Sequence, residues 1–148
     1  MVVTDAMKKP KLPPNVLFHH DLQLMVFRPR GVLNEKKVDE IIAFLDRAEE
    51  EGEKPFNRYS DLSRLEAIKL DFEYVTRVSL HRRLTYMKHP PVKSAFFVTT
   101  EEAAHLVDIH ILMTDHSPLH AAMFNEISAA AKWLGVTEED LQLGGQAD

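Results

Sequence analysis

The sequence contains no cysteine, which excludes disulfide bonds, thiolate metal sites and thiol catalysis. It has only five glycines, and none is grouped in the patterns that hold phosphates in nucleotide-binding loops. No apolar run approaches the ~18 residues that a membrane-spanning helix needs, so we expect no membrane insertion. The Gly-x-Ser-x-Gly motif of serine hydrolases and the His-Glu-x-x-His motif of zinc proteases are also missing. We therefore expect a protein that is not an enzyme, with no catalytic residue, no metal and no cofactor.

The length and overall composition of the chain are typical of one small globular domain. A chain of 148 residues buries roughly 70% of the surface that it exposes when unfolded, and 45% hydrophobic residues suffice for an ordinary core. The net charge is −5 with histidine counted as neutral, so there is no overall basic surface for nucleic acid. We expect no nucleic-acid partner.

The first residues differ in composition from the rest of the chain. Residues 1–14 contain lysines and prolines but no apolar segment of the kind found in secretion signals. We expect this segment to be a flexible lead-in to a single domain over residues 15–143, followed by a frayed tail at residues 144–148. Without such a signal, the expected location is the cytoplasm.

Strand-like and helix-like patterns alternate in the second half of the chain. Residues 92–99 form an apolar run that predicts a buried strand, and residues 119–124 predict another. A helical stretch from Glu101 to about Thr114 separates them, and a last helix begins near Ile127 and ends at Gly135. Strands separated by single helices are typical of parallel neighbours in an α/β fold.

The first half supplies the remaining elements. Asn34 is a good N-cap, and the apolar stripe behind it predicts a helix that ends at Gly52. A second helix is predicted from Asp71 to Met87, with Phe72, Val75 and Val78 facing the core. Residues 16–30 predict a hairpin near His20 or one bent strand, and residues 56–62 a further strand. The predicted fold is an α/β sandwich with a small, mostly parallel sheet, an antiparallel first strand and four helices, to which residues 137–141 could add one turn.

Three short passages carry a resemblance to a known family. They are Phe27–Leu33 between a strand and the first helix, Tyr59–Ser63 at the end of the next strand, and Met123–Gly135 near the end of the chain. On these passages the chain resembles the STAS domain of anti-sigma-factor antagonists, and more closely the SpoIIAA-like proteins. The resemblance extends from about Phe18 to Val136. It implies the α/β fold described above and a role in binding a protein partner.

The resemblance also implies a regulatory serine at the start of the second helix, phosphorylated by a partner kinase. Counting from Asp61 and Ser63, that position falls near Asp71, where there is no hydroxyl group. We therefore expect the family's phosphoserine switch to be missing. Asp61, Ser63 and Asp71 remain candidate binding residues, Asp71 because an aspartate at a helix N-terminus imitates part of a phosphate's charge.

The second predicted helix carries a basic stripe. Arg77 and His81 lie four residues apart on one face, and both are candidate binding residues for an acidic partner. The acidic run at residues 49–51 could meet this stripe within the chain or in a second copy. The histidines elsewhere do not predict a metal site, because His105 and His110 are about 140° apart around their helix.

The third predicted helix is apolar on nearly two faces, which is more than one sheet can cover. Two functions would make use of the apolar surface that the sheet leaves uncovered. The first is a non-catalytic regulatory or protein-interaction module that binds a protein partner or forms a homodimer through this helix. The alternative is a carrier of a small apolar ligand or lipid, with a pocket lined by Leu106, Ile109, Met113 and Phe72.

Overall fold

The computed structural model describes residues 12–51 and 54–142. Within these residues the strands are β1 (Val16–His19), β2 (Leu24–Phe27), β3 (Gly31–Asn34), β4 (Asn57–Asp61), β5 (Leu65–Lys69), β6 (Val92–Phe97) and β7 (Leu119–Phe124). The helices are α1 (Glu35–Glu50), α2 (Phe72–Tyr86), α3 (Glu101–Thr114), α4 (Ile127–Leu134) and α5 (Glu138–Gln142). Apart from residues 12–14, the expected lead-in at 1–14 and the expected tail at 144–148 lie outside the described residues.

The main sheet has five strands in the order β1-β2-β4-β6-β7. β1 pairs antiparallel with β2, so residues 16–30 contain a hairpin and not one bent strand. The other strand pairs of this sheet are parallel. The predicted α/β class with a mostly parallel sheet is therefore confirmed. A fifth helix, α5, stands where the sequence predicted at most an added turn.

A second, two-stranded sheet was not predicted. β3 and β5 pair in parallel, with an irregular register between Gly31 and Val32. Gly31 adopts a φ of 69°, a conformation that glycine reaches without the steric cost that other residues bear. This small sheet carries Leu33 and Ile68, which form part of the cavity wall described below.

Side-chain alternation divides the main sheet into two faces. One face carries Leu24, Val26 and Tyr59, which pack with the buried residues of α4 and with Leu141 of α5. The other carries Met25, which packs with α1 and Phe56. The helices α2 and α3 lie against each other through Ser79 and His110 on this second side. The cavity lies on that side, between the sheet and α1, α2 and α3.

Local capping explains where the helices begin. Asn34 and Asp71 each accept a hydrogen bond from a backbone N–H three residues further on, at 3.0 Å and 2.8 Å. Thr100 caps α3 in the same way. The predicted start of the second helix at Asp71 is thus confirmed, and α2 begins at Phe72. The predicted inward position of Phe72 is wrong, because its side chain is 62% exposed in the first turn of the helix.

None of the helices in the described part of the chain is long and apolar enough to cross a membrane.

Candidate functional site

The main candidate site is a cavity of about 160 Å³ between the sheet and its three covering helices. Most of its wall is apolar. The apolar lining residues are Met25, Phe27, Leu33, Val38, Ile41, Ile42, Leu45, Leu62, Ile68, Leu70, Val75, Val78, Phe96, Ala103, Leu106, Val107 and Leu119. Tyr74 and a group of polar residues complete the wall: Arg58, Ser60, Ser79, Arg82, Ser94 and His110. The site therefore combines apolar walls with hydrogen-bonding groups.

Strand geometry brings three of these polar residues together on the sheet. Arg58 and Ser60 are two residues apart on β4, so their side chains lie on the same face. Ser94 is the partner of Arg58 on β6 in the parallel register. All three are buried. The sheet therefore supplies a polar strip beneath an otherwise apolar cavity.

The charged part of this strip is held in an ion-pair network. Glu49 on α1 accepts two hydrogen bonds from Arg82 on α2, at 2.7 Å and 3.1 Å, in a bidentate arrangement. The same carboxylate accepts from Arg58 Nη2 at 2.9 Å. Arg82 also donates to Asp46 at 2.8 Å. The side chains of Arg58, Glu49 and Arg82 are 3%, 5% and 2% exposed, so solvent screens their interactions little.

Burial also changes the proton affinity of these groups. It lowers the pKa of Arg58, while the nearby Glu49 carboxylate acts in the opposite direction. The guanidinium group lies over the rings of Phe56 and Tyr86, 4.4 Å and 5.2 Å from their centroids. Such contacts favour the charged form of the side chain. Arg58 is therefore bound on several sides, and its role is to hold the sheet to α1.

A second polar contact lies between α2 and α3. Ser79 Oγ and His110 Nδ1 are 2.8 Å apart, and His110 also contacts the ring of Phe96 edge-on. Burial, and to a smaller extent the positive charge of Arg82, lowers the pKa of His110 to about 4. The imidazole is therefore neutral at pH 7.

The Ser79–His110 pair does not have the chemistry of a nucleophile and its base. A catalytic histidine needs a pKa near the working pH and a carboxylate that stabilises its charged form. Here the charge near His110 is the cation Arg82, and the pKa is far below 7. The geometry fits a structural or ligand-binding contact.

The predicted binding residues at the end of β4, Asp61 and Ser63, form hydrogen bonds with their neighbours in the chain. Asp61 is buried, and its Oδ1 accepts hydrogen bonds from the backbone N–H and the hydroxyl of Ser63, at 2.9 Å and 2.6 Å. Its other oxygen pairs with Arg28 at 3.3 Å. Asp61 and Ser63 thus form a turn that ends β4. Asp71 lies apart from them as the exposed N-cap of α2.

The predicted basic stripe on α2 is largely satisfied within the chain. His81 pairs with Asp46 at 2.8 Å, and the guanidinium of Arg77 lies over the ring of Tyr74. The acidic run of α1 meets this basic helix within the chain, as one of the two predicted arrangements has it, through the ion pair of Glu49 with Arg82. None of the five predicted binding residues lines the cavity.

Of the residues predicted to line an apolar pocket, only Leu106 does so. Phe72 is exposed, and Ile109 and Met113 lie outside the lining. Arg58, Ser60, Ser94 and Ser79 belong to no motif that predicted a site from the sequence. A usable signal was present, because Arg58 and Ser60 alternate with Tyr59 in a strand that both layers of helices cover.

The described residues contain no group of three or more acidic or histidine side chains placed to hold a metal ion.

The architecture is that of a small α/β domain with a mostly parallel sheet and a cavity on one face of that sheet. A solved structure is similar over most of the chain: an uncharacterized protein from the DUF3478 family with a SpoIIAA-like fold, from Shewanella loihica PV-4. The two share 17% sequence identity and a TM-score of 0.50, over 75% of this chain and 83% of that chain. This likeness confirms the predicted SpoIIAA-like fold. No family model matches the sequence, and no curated protein matches it significantly.

We predict that Glu49→Ala destabilises the protein by about 3–5 kcal/mol, because two buried arginines lose their shared carboxylate. Urea unfolding followed by circular dichroism measures the change. Glu50→Ala is the matched control, since Glu50 is exposed at the next position of the same helix and its loss should change stability by less than about 0.5 kcal/mol. Equal effects of the two variants would contradict the role given to Glu49.

We further predict a pH-dependent term in stability that comes from His110. Its folded pKa, about 4, lies below its ordinary value of 6.5, so the unfolded chain binds the proton more readily. This contribution is complete above pH 6.5 and is lost as the pH falls towards 4, with a limit of roughly 3 kcal/mol.

Urea unfolding at pH 7.5 and pH 5 measures this term in the wild type and in two variants. His110→Gln should weaken the pH dependence, whereas His105→Gln, at an exposed position on the same helix, should leave it unchanged. An unaltered pH dependence in the His110 variant would show that other groups produce it.

Proposed function

We propose that this protein is a non-catalytic binding module of the SpoIIAA-like type that holds a small, mostly apolar molecule in its cavity. The cavity itself is the observation that carries the proposal. Its volume of about 160 Å³ is close to that of an engineered apolar cavity, of about 150 Å³, that binds benzene. A compound with a single ring, or the end of a longer molecule, has the matching size.

The energetics favour an occupant. In mutant cores, stability falls by about 24 cal/mol for each Å³ of cavity, so a volume of 160 Å³ corresponds to an upper limit of about 4 kcal/mol. Recovering all of that free energy would give a dissociation constant of about 1 mM, and because the cavity is partly open to solvent we expect a purely apolar probe to bind more weakly than this. Added hydrogen bonds would give tighter binding.

We predict that Val78→Phe fills the cavity and removes binding of an apolar probe. Val78 lines the cavity on α2, and a phenyl ring would occupy the space that the probe needs. The matched control is Val136→Phe, because Val136 packs against the core on the opposite face of the sheet. Fluorobenzene at millimolar concentration, followed by ¹⁹F NMR and by thermal unfolding, reports binding.

The wild type and the Val136 variant should bind fluorobenzene and gain thermal stability, and the Val78 variant should do neither. Circular dichroism checks that each variant folds, and Val75→Phe, at another lining position on α2, replaces Val78→Phe if needed. Binding that survives in folded cavity-filled variants would refute the proposed site.

The proposed module works without the family's phosphoserine switch. Asp71 stands where the resemblance implies the regulatory serine, and its carboxylate is engaged by the backbone N–H of Tyr74 at 2.8 Å. Ser63, the nearest hydroxyl in the resembling passage, donates to Asp61. Occupancy of the cavity by its ligand would then be the signal that a partner detects.

A second candidate function, protein interaction through self-association, has separate support. Leu80 and Leu84 on α2 and Met87, the residue directly after the helix, are exposed with a spacing of four and three residues, so they share one face. On the neighbouring α3, Leu112 is 76% exposed. Exposed large apolar side chains grouped on a helix face are typical of interaction sites. The C-terminal turn does not cover it, since Leu141 packs on the other face of the sheet.

We predict that the protein forms a dimer at tens of micromolar, and that Leu112→Glu yields a folded monomer. A glutamate at this exposed position leaves the core intact but places a charge in the proposed interface. Light scattering gives the mass. Leu22→Glu is the control, because Leu22 is an exposed leucine in the turn between β1 and β2, away from the proposed interface. This variant should remain dimeric. A wild-type mass of one 17.0 kDa chain would refute self-association.

A further inference from the structure

The cavity wall contains hydroxyl groups that no described residue satisfies. Ser60 and Ser94 are 9% and 6% exposed, both line the cavity, and neither side chain forms a hydrogen bond with a described residue. A hydroxyl that faces a mostly apolar cavity without a protein partner is free to form a hydrogen bond with a molecule bound there. Their positions on adjacent strands place both on the polar strip of the sheet. These groups point to a ligand that forms hydrogen bonds.

His110 adds a third group that can form a further hydrogen bond. Its Nδ1 is paired with Ser79 Oγ, and no described residue hydrogen-bonds to its Nε2. Ser79 can donate to or accept from Nδ1, so Nε2 is a donor in one tautomer and an acceptor in the other. The serine hydroxyls likewise do either. A ligand hydroxyl group matches every one of these arrangements, because it also donates and accepts.

The charges around the cavity are already balanced. The cations Arg58 and Arg82 face the carboxylates of Glu49 and Asp46, all within hydrogen-bond distance. An anionic ligand would add a buried charge without a counter-ion, or would have to displace Glu49. Burial is the larger cause of the lowered pKa of His110, and the same loss of hydration would oppose the entry of an ionised ligand.

We infer that the cavity binds an uncharged compound of about the size of benzene that carries one hydroxyl group, such as a phenol or a small cyclic alcohol, and rejects the carboxylate of similar size. The hydroxyl lies against Ser60, Ser94 and His110, and the ring lies against the apolar wall. This inference rests on the proposed function and names the chemical class of its ligand.

Three probes of similar shape test it: phenol, benzene and benzoate. Each is titrated into the full-length protein at pH 7.5, and binding is followed by chemical-shift changes in the NMR spectrum of the cavity residues. We expect phenol to bind about threefold to tenfold more tightly than benzene, which corresponds to one or more neutral hydrogen bonds. Benzoate, which is ionised at this pH, should bind at least tenfold more weakly than phenol.

Substitutions assign the preference to its residues. Ser94→Ala should reduce the ratio of phenol to benzene affinity towards one, and His110→Phe should do the same if it folds. Ser128→Ala is the control, because Ser128 is an exposed serine on α4, on the other side of the sheet. Ser94→Ala changes little in volume, so the test stands even if the His110 variant fails to fold.

The outcomes separate the inference from the proposed function. Benzene binding as tightly as phenol, or benzoate binding most tightly, would overturn the inference and leave the binding cavity in place. A phenol preference that persists in both Ser94→Ala and Ser60→Ala would also overturn it. Failure of all three probes to perturb the cavity residues would refute the proposed function and the inference together.

Discussion

The arrangement of the fold depends on the carboxylate of Glu49. It lies between Arg58 on the sheet and Arg82 on α2, while Glu49 itself belongs to α1. One buried anion therefore ties α1 to β4, the next element along the chain, and to α2, where its partner lies 33 residues away. Two cations alone would repel each other in a region from which water is largely excluded. The net stabilisation of such a network over an apolar core is small, but the loss of one member is costly, so it specifies how these elements meet.

The same network helps to explain why the interior is not completely filled. Arg58 and Arg82 are held by their hydrogen bonds, so their side chains cannot move to fill space beside them. The neighbouring wall positions are occupied by small residues, namely Ser60, Ser79, Ser94 and Ala103. Larger apolar residues at these places would close the gap, as close packing normally requires. The cavity and its polar wall therefore result from the small and polar side chains at these lining positions.

The sequence predicts the elements whose signals are local. Asn34 and Asp71 cap helices whose starts agree with the prediction, because the capping hydrogen bond spans three residues. The sheet of β3 and β5 was missed, since each strand is short and its partner lies about thirty residues away in the chain. Phe72 was misplaced because apolar spacing places a residue on a helix face but does not say whether the core reaches the first turn.

The candidate site is harder to predict, because its residues are drawn from many elements. Glu49 lies only nine residues before Arg58, but no local pattern pairs the two, and nothing near His110 indicates Ser79 on the preceding helix. The resemblance directs attention to Asp61, Ser63 and Asp71, which serve as turn and cap residues here. The polar residues of the cavity are distinguished by their positions, which strand alternation or helix packing would normally give to apolar side chains. Buried polar groups are retained at a cost, so such positions are where the sequence most directly points to the proposed binding site.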